Sequence, residues 1–242
     1  MKKRSQFHFS KESLFFYSPF QLKKIFKNKK VLITLGPTRE YLDPVRYISN
    51  SSSGKMGLAL AKAFKNVGAI PTIVFGPGVW VPPNLKSVAV VSALNMLAET
   101  KKLFSDCDIF ICAAAIADYR PLKILKTKIV RDSHPLQIKL IPNPDILATV
   151  TALKEHQFCV GFALEDFPYS KPPALKVLKR ARMKMIKKRC DLMVLNSARS
   201  MEGEDIDATL LSSKARFKFL GSISKELCAK RICQAIAQSL EL

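Results

Sequence analysis

Asn50 stands in a run of small polar residues, Ser49-Asn50-Ser51-Ser52-Ser53, that ends at Gly54-Lys55-Met56-Gly57. A neutral amide among hydroxyls, just ahead of a helix start, can donate hydrogen bonds to an oxyanion or an acyl phosphate without bringing a charge of its own. Backbone N–H groups at such a start favour anions. An Asx-turn or a helix cap is the structural alternative for Asn50. Arg39 and Arg46 lie upstream in the same loop, where they either reach a ligand or pair with Glu40 and Asp43. The chemistry that suits these residues is the binding of an anion and the stabilisation of an oxyanion.

Two standard phosphate cradles do not fit. A P-loop needs a leading Gly and a Ser or Thr after its Gly-Lys pair; those places hold Ser49 and Met56. The dinucleotide fingerprint needs clustered glycines in the first strand-to-helix turn, and that turn reads Gly36-Pro37-Thr38.

The elements that must position the loop follow from the apolar pattern. Lys30 to Leu35 is expected as a buried strand ended by Gly36-Pro37, and Gly54 as the start of a helix through Lys65 that Gly68 stops. Further strands are expected over 72–75, 87–91 and 108–112, with a helix over 93–104. This alternation implies an α/β, Rossmann-like doubly wound, mostly parallel sheet. Right-handed crossovers then bring the loops after Leu35, Phe75 and Cys112 to one edge, where ligands bind in such sheets.

The regularity breaks at Asp118-Tyr119-Arg120-Pro121, and a basic, turn-rich stretch follows. Leu136 to Ile141 alternates apolar and polar residues as a half-exposed antiparallel strand does, so a small antiparallel dimerisation arm is expected over about 123–141. Asn143-Pro144-Asp145 opens a helix, with Pro144 in its first turn. A strand over 159–163, a basic helix over 174–189, a strand over 192–195 and a hairpin of 208–211 with 216–219 complete the pattern. Ser224 caps a last amphipathic helix through Leu240.

The bulk numbers bound the class. The chain has 242 residues, 48% of them hydrophobic, which is enough for a substantial core. No apolar run reaches the length of a membrane span, and the basic N-terminus lacks the apolar core of a signal peptide. Residues 1–29 read as an extension, partly helical around Phe20 to Phe26, with a tether as the favoured role. The six cysteines form no CxxC pair and the three histidines show no ligand spacing, so reduced core thiols in a cytoplasmic protein are expected. The net charge of +21 would draw anionic small substrates; it permits nucleic-acid binding without requiring it.

The blocks Thr38-Arg39-Glu40, Asp43 to Asn50 and Ser52 to Gly57 resemble the phosphopantothenate–cysteine ligase family of coenzyme A biosynthesis. So do Ala113 to Arg120, Asn143 to Leu147, Gly161-Phe162-Ala163 and Asp191 to Asn196, in family order over about 30–240. The resemblance implies a two-step ligation. CTP, as in most bacterial members, or ATP, as in animal ones, activates the carboxylate of 4'-phosphopantothenate, and cysteine then forms the amide. Mg²⁺ is expected with the triphosphate, its protein ligands unassigned. The family is dimeric, and a homodimer is expected, with no nucleic acid, membrane or flavin involved. Residues 1–29 are too short for the flavin-dependent decarboxylase domain of many bacterial relatives, so a stand-alone ligase is expected, with a separate decarboxylase or none.

The same resemblance assigns residues. Asn50 would act on the acyl-nucleotidylate, and Ser52, Ser53, Gly54, Lys55 and Met56 would bind phosphopantothenate. Ala113 and Ala114 would let the nucleotide approach the backbone, and Asp118 would meet its base and ribose. Lys128 would stabilise triphosphate charge as the first lysine of a Lys-x-Lys-Lys flap. Pro144, Asp145, Ile146 and Leu147 form a helix start that meets the nucleotide, and Phe162 packs on it. Lys184 and Lys188 match two nucleotide-contacting lysines, with Lys179 and Lys187 as competitors. Departures from the family are Pro37 in place of a glycine, Val130 and Arg131 in the flap, and extra residues between Phe162 and Lys184. The rival readings are an NAD(P)-dependent oxidoreductase on the same kind of sheet and a basic nucleic-acid-binding protein.

Overall fold

The computed structural model describes residues 8–9, 17–165, 171–201, 203–213 and 216–241. In chain order the elements are β1 (His8–Phe9), α1 (Pro19–Phe26), β2 (Lys30–Leu35), β3 (Arg39–Tyr41), β4 (Tyr47–Ser49), α2 (Lys55–Asn66) and β5 (Ile70–Phe75). Then come β6 (Lys86–Ala89), α3 (Ala93–Phe104), β7 (Ile109–Cys112), β8 (Tyr119–Pro121), β9 (Leu140–Pro142), α4 (Ile146–Thr151) and β10 (Phe158–Leu164). The chain finishes with α5 (Leu175–Lys187), β11 (Leu192–Asn196), β12 (Asp205–Ser212), β13 (Arg216–Ser224) and α6 (Lys225–Leu240).

The main sheet has the order β1-β13-β12-β11-β10-β7-β2-β5-β6. Strands β6, β5, β2, β7, β10 and β11 run parallel; β12 is antiparallel to both β11 and β13. The expected doubly wound, mostly parallel sheet is what forms. From β2 the chain winds outward to β5 and β6, then returns to β7 on the other side. The switch point therefore lies between β2 and β7, and their carboxyl ends open a crevice there.

Strand alternation divides the core. Val31, Ile33 and Leu35 face one layer, built with α1, α2 and α6; Leu32 faces the other, built with α3, α4 and α5. Both faces of β2 and β7 are covered, which explains why they read as continuous apolar runs. Ser224 caps its helix as expected, accepting from Leu227 N (3.2 Å), and Ser92 caps α3 by accepting from Asn95 N (3.2 Å).

Three expectations change. The α1 part of the N-terminal extension does more than tether: it carries a capping box between Ser18 and Gln21, and its Phe26 is fully buried edge-on against Phe64 of α2, with ring centroids 5.2 Å apart. Leu22 and Phe26 are spaced i, i+4, so one face of a short helix can dock on the core. The arm contributes strand only at its base, where Tyr119–Pro121 pairs with Leu140–Pro142. Leu136 and Ile138 are exposed, and alternation without a neighbouring strand does not make one. Pro144 lies before the helix rather than in its first turn, because the Asp145 carboxylate takes the cap by accepting from Ala148 N (3.0 Å).

Phe26→Ala should remove about 3–5 kcal/mol of stability, the usual cost of emptying a buried aromatic site. Urea unfolding checks this, and a loss under about 1 kcal/mol would mean that α1 is not part of the core.

Candidate functional site

The crevice at the switch point is a cleft of about 400 Å³. Its walls start from the turn after β2. Gly36 has φ of +77°, and the backbone of Gly76 runs so close that a Cβ there would lie 1.6 Å from the Pro37 carbonyl oxygen. On the other side Pro37 bridges Ala115, and Ala115 N donates to Gly36 O (2.9 Å). The first turn is thus held between the loops that follow β5 and β7. Thr38 is buried: its hydroxyl accepts from Ala117 N (3.1 Å), and its carbonyl accepts from Ser49 Oγ (2.7 Å).

These bonds bring Asn50 to the cleft. Its Nδ2 donates to Ile116 O at 2.9 Å, tying the serine loop to the Ala113–Asp118 turn. Asn143 Nδ2 donates to Ala117 O (2.8 Å), and Asn143 N to Asp118 O (2.8 Å), which fastens the start of α4 to the same turn. Gly54, with φ of +71°, precedes α2 with no side-chain cap, so the first turn of that helix faces the cleft with its own N–H groups.

The cations divide between two walls. Lys188 lines the cleft and pairs with Asp145 Oδ2 (2.9 Å). Lys55 and Lys225 line it from the starts of α2 and α6, and Lys55 is paired with Glu204. Beneath the Ser200–Met201 stretch, buried Asp207 accepts from Ser197 Oγ (2.5 Å), and its N–H donates to Ser200 Oγ (2.9 Å).

The model of the family described as DNA/pantothenate metabolism flavoprotein C-terminal domain matches residues 26–240. The chain belongs to this family. It is 44% identical over 194 residues to the coenzyme A biosynthesis bifunctional protein CoaBC of Vibrio vulnificus, covering 78% of this chain and 46% of that protein. To the CoaBC of Escherichia coli it is 45% identical over 175 residues, covering 70% and 41%. The chain thus spans about half the length of the curated relatives it matches. A crystal structure of the C-terminal domain of CoaBC superposes with TM-score 0.73 at 31% identity, covering 89% of this chain and 99% of that one. The complex of a Cab2 mutant with phosphopantothenate-cysteine shares the fold, with TM-score 0.68 at 17% identity.

Within this family member, Asn50, Ser52, Gly54, Lys55, Met56, Ala113, Ala114, Asp118, Pro144, Asp145, Ile146, Leu147, Phe162 and Lys188 all line the cleft. Three expected site residues do not. Lys184 is bound to Glu165 (2.7 Å), together with Arg180. Burial alone would raise the pKa of Glu165; its two cationic partners outweigh that and hold it below the usual carboxylate range. Lys184 therefore fastens α5 to the end of β10, and Lys188, one turn on, is the lysine that reaches the cleft. Ser53 turns its hydroxyl towards Met201 O (3.5 Å), and Lys128 is exposed outside the cleft wall. Sequence reading missed Asn143 as a tie, and Ser200, Met201 and Lys225 as lining. Only Asn143 had a signal, its place in Asn-Pro-Asp.

The paired arginine reading holds for one of two. Arg46 binds Asp43 Oδ2 (2.5 Å), whereas Arg39 stacks over the Tyr47 ring (4.4 Å) and Glu40 accepts from Ala93 N (2.8 Å) at the start of α3. Asp43 also accepts from Ile129 N (3.0 Å), Val45 N (2.8 Å) and Arg46 N (2.8 Å). The Ile129 bond first, against the opposing effect of burial, and then the others hold its carboxyl well below the usual range. Ile129 adjoins Lys128, so Asp43 is the anchor of the flap. Asp43 binds fewer protons folded than unfolded. The stability it adds is complete above about pH 4 and is lost as pH falls toward the depressed folded value. Asp43→Asn should lower the urea midpoint at pH 7, with the gap to the native protein closing below about pH 4; a gap independent of pH would contradict this.

Proposed function

We propose that the cleft ligates 4'-phosphopantothenate to cysteine at the expense of a nucleoside triphosphate, CTP in the first instance and ATP as the alternative. The observation that carries this reading is the meeting of the Asn50 loop with the Ala113–Asp118 turn and the α4 start in one crevice, in a chain of this family. A carboxylate is a poor electrophile. One of its oxygens would attack the α-phosphorus of the triphosphate, forming a mixed anhydride as pyrophosphate leaves. The amine nitrogen of cysteine would then attack the acyl carbon; the C–O bond to the nucleotide breaks, the amine gives up a proton to solvent, and the monophosphate departs.

The chain's own task is positioning and charge stabilisation. Asn50 has a second amide N–H besides the one given to Ile116 O, and we assign it to the acyl oxygen, where charge develops in the second step. Lys188 and Lys128 would meet triphosphate charge, the latter carried in by the flap. No cluster of three or more His, Cys, Asp or Glu is placed to hold a metal among the described residues, so Mg²⁺ would be held chiefly by the phosphates and water. The six cysteines are free and buried, and burial pushes Cys107 and Cys159 up to about 12, so we assign them to packing in a reducing, cytoplasmic compartment. The exposed Leu122, Ile124, Val130 and Leu136 of the arm support a homodimer. The amide product retains the cysteine carboxylate, the group a decarboxylase would remove next.

Pyrophosphate release with each of the four triphosphates tests the reading. CTP with phosphopantothenate should release pyrophosphate, and adding cysteine should give the amide. Asn50→Ala should keep the first step and slow amide formation at least about 100-fold, the scale of a lost oxyanion donor. No release with any triphosphate would refute the function, and an unchanged turnover would remove Asn50 from it.

A further inference from the structure

Asn143 lines the cleft where the Ala113–Asp118 turn meets the start of α4. It joins the two by its Nδ2, which donates to Ala117 O (2.8 Å), and by its backbone N, which donates to Asp118 O (2.8 Å). The side-chain bond has one working orientation. Turned over, the amide would set its own oxygen against the Ala117 carbonyl, and two acceptors would face each other.

Arg120 selects the orientation. Its Nη1 donates to Asn143 Oδ1 (3.0 Å) and to Pro142 O (2.8 Å). A guanidinium donates and does not accept, so Asn143 turns its oxygen to Arg120 and its nitrogen to Ala117. The bond from the guanidinium is charge-assisted, which makes it stronger than one between neutral groups. The bond to Pro142 O alone would serve to hold the strand pair; the bond to Asn143 acts on the turn.

The arm's base brings the arginine there. β8 leaves directly from Asp118, and β9 leads directly into Asn143. Their antiparallel register sets Tyr119 opposite Pro142 and Arg120 opposite Ile141, within an arginine's reach of Asn143. From the other side, Asn50 of the serine loop holds the preceding carbonyl, Ile116 O. Two successive carbonyls of one turn are thus held separately, one by the serine loop and one through Arg120.

We propose that Arg120, which lies outside the cleft wall, is a positioning residue for the nucleotide: through Asn143 it sets the Ala117–Asp118 turn against the start of α4. This rests on the ligase reading above, which assigns Asp118 and Pro144 to Leu147 to the triphosphate. Arg120 therefore governs nucleotide binding and leaves the cysteine step to the Asn50 side of the turn.

The test measures KM for each substrate, and the melting temperature, in the native protein and in Arg120 and Asn143 variants. Arg120→Met should raise KM for the triphosphate about tenfold, the scale of one lost charge-assisted hydrogen bond. KM for phosphopantothenate and cysteine should stay within about twofold. Arg120→Lys keeps a cationic donor and should recover most of the loss. Asn143→Asp keeps the shape and the Arg120 contact but faces Ala117 O with an acceptor, so it should be at least as damaging as Arg120→Met. Arg120→Met combined with Asn143→Ala should cost no more than Asn143→Ala alone, since both act through one chain of bonds. Additive losses, an equal rise in all three KM values, or a lower melting temperature with KM for the triphosphate unchanged would each overturn the assignment. A native protein that binds a triphosphate but ligates nothing refutes the ligase reading alone. Calorimetric titration with that triphosphate then decides the role of Arg120: weaker binding to Arg120→Met supports it, and equal binding overturns it. A native protein that binds none of the four triphosphates overturns both.

Discussion

Everything at the carboxyl edge depends on how closely the turn after Lys30–Leu35 is held. Its backbone lies against Gly76 with no room for a side chain, and bridges Ala115 on the other side. That contact fixes the loops after three parallel strands relative to one another. Thr38 then sets the height of Ala117 and Ser49, and Asn50 and Asn143 reach the same turn from opposite directions. The site is a set of main-chain surfaces locked by small polar side chains, which suits a reaction that needs positioning more than a covalent nucleophile.

Charge is arranged around that frame with little waste. Glu165 is buried to anchor Arg180 and Lys184, and so the long basic helix is pinned while Lys188 is left for the cleft. Asp43 spends its lone pairs on Ile129, Val45 and Arg46, which ties a long exposed arm to the main fold next to Lys128. Of the chain's many cations, Lys55, Lys188 and Lys225 line the crevice, and others such as Lys29, Lys154 and Arg180 are held in ion pairs elsewhere.

Much of this was legible in the sequence. The strands over 30–35 and 109–112 announce themselves as apolar runs because both faces are covered, and Ser224 marks its helix because a hydroxyl cap is a local event. The serine loop was legible through the family blocks that it carries, since an Asx-turn or a helix cap would account for Asn50 by itself. What could not be read depends on distant partners. Leu136 to Ile141 alternates like a strand, yet among the described residues only Leu140 and Ile141 of it pair as strand. Phe26 looks like part of a tether until Phe64 is placed against it. Lys184 and Lys188 are equivalent by helical spacing, and only the buried carboxylate at Glu165 tells them apart. Lys225 reads as an ordinary surface lysine until two strand reversals bring it to the edge.

The central claim is that the cleft forms an acyl-nucleotidylate, with a carboxylate oxygen attacking the α-phosphorus. Oxygen tracing tests this most directly. With 4'-phosphopantothenate labelled with ¹⁸O in its carboxylate, turnover with CTP and cysteine should place one ¹⁸O in the CMP released and none in inorganic phosphate. Label in inorganic phosphate, or CMP free of label, would contradict the mechanism.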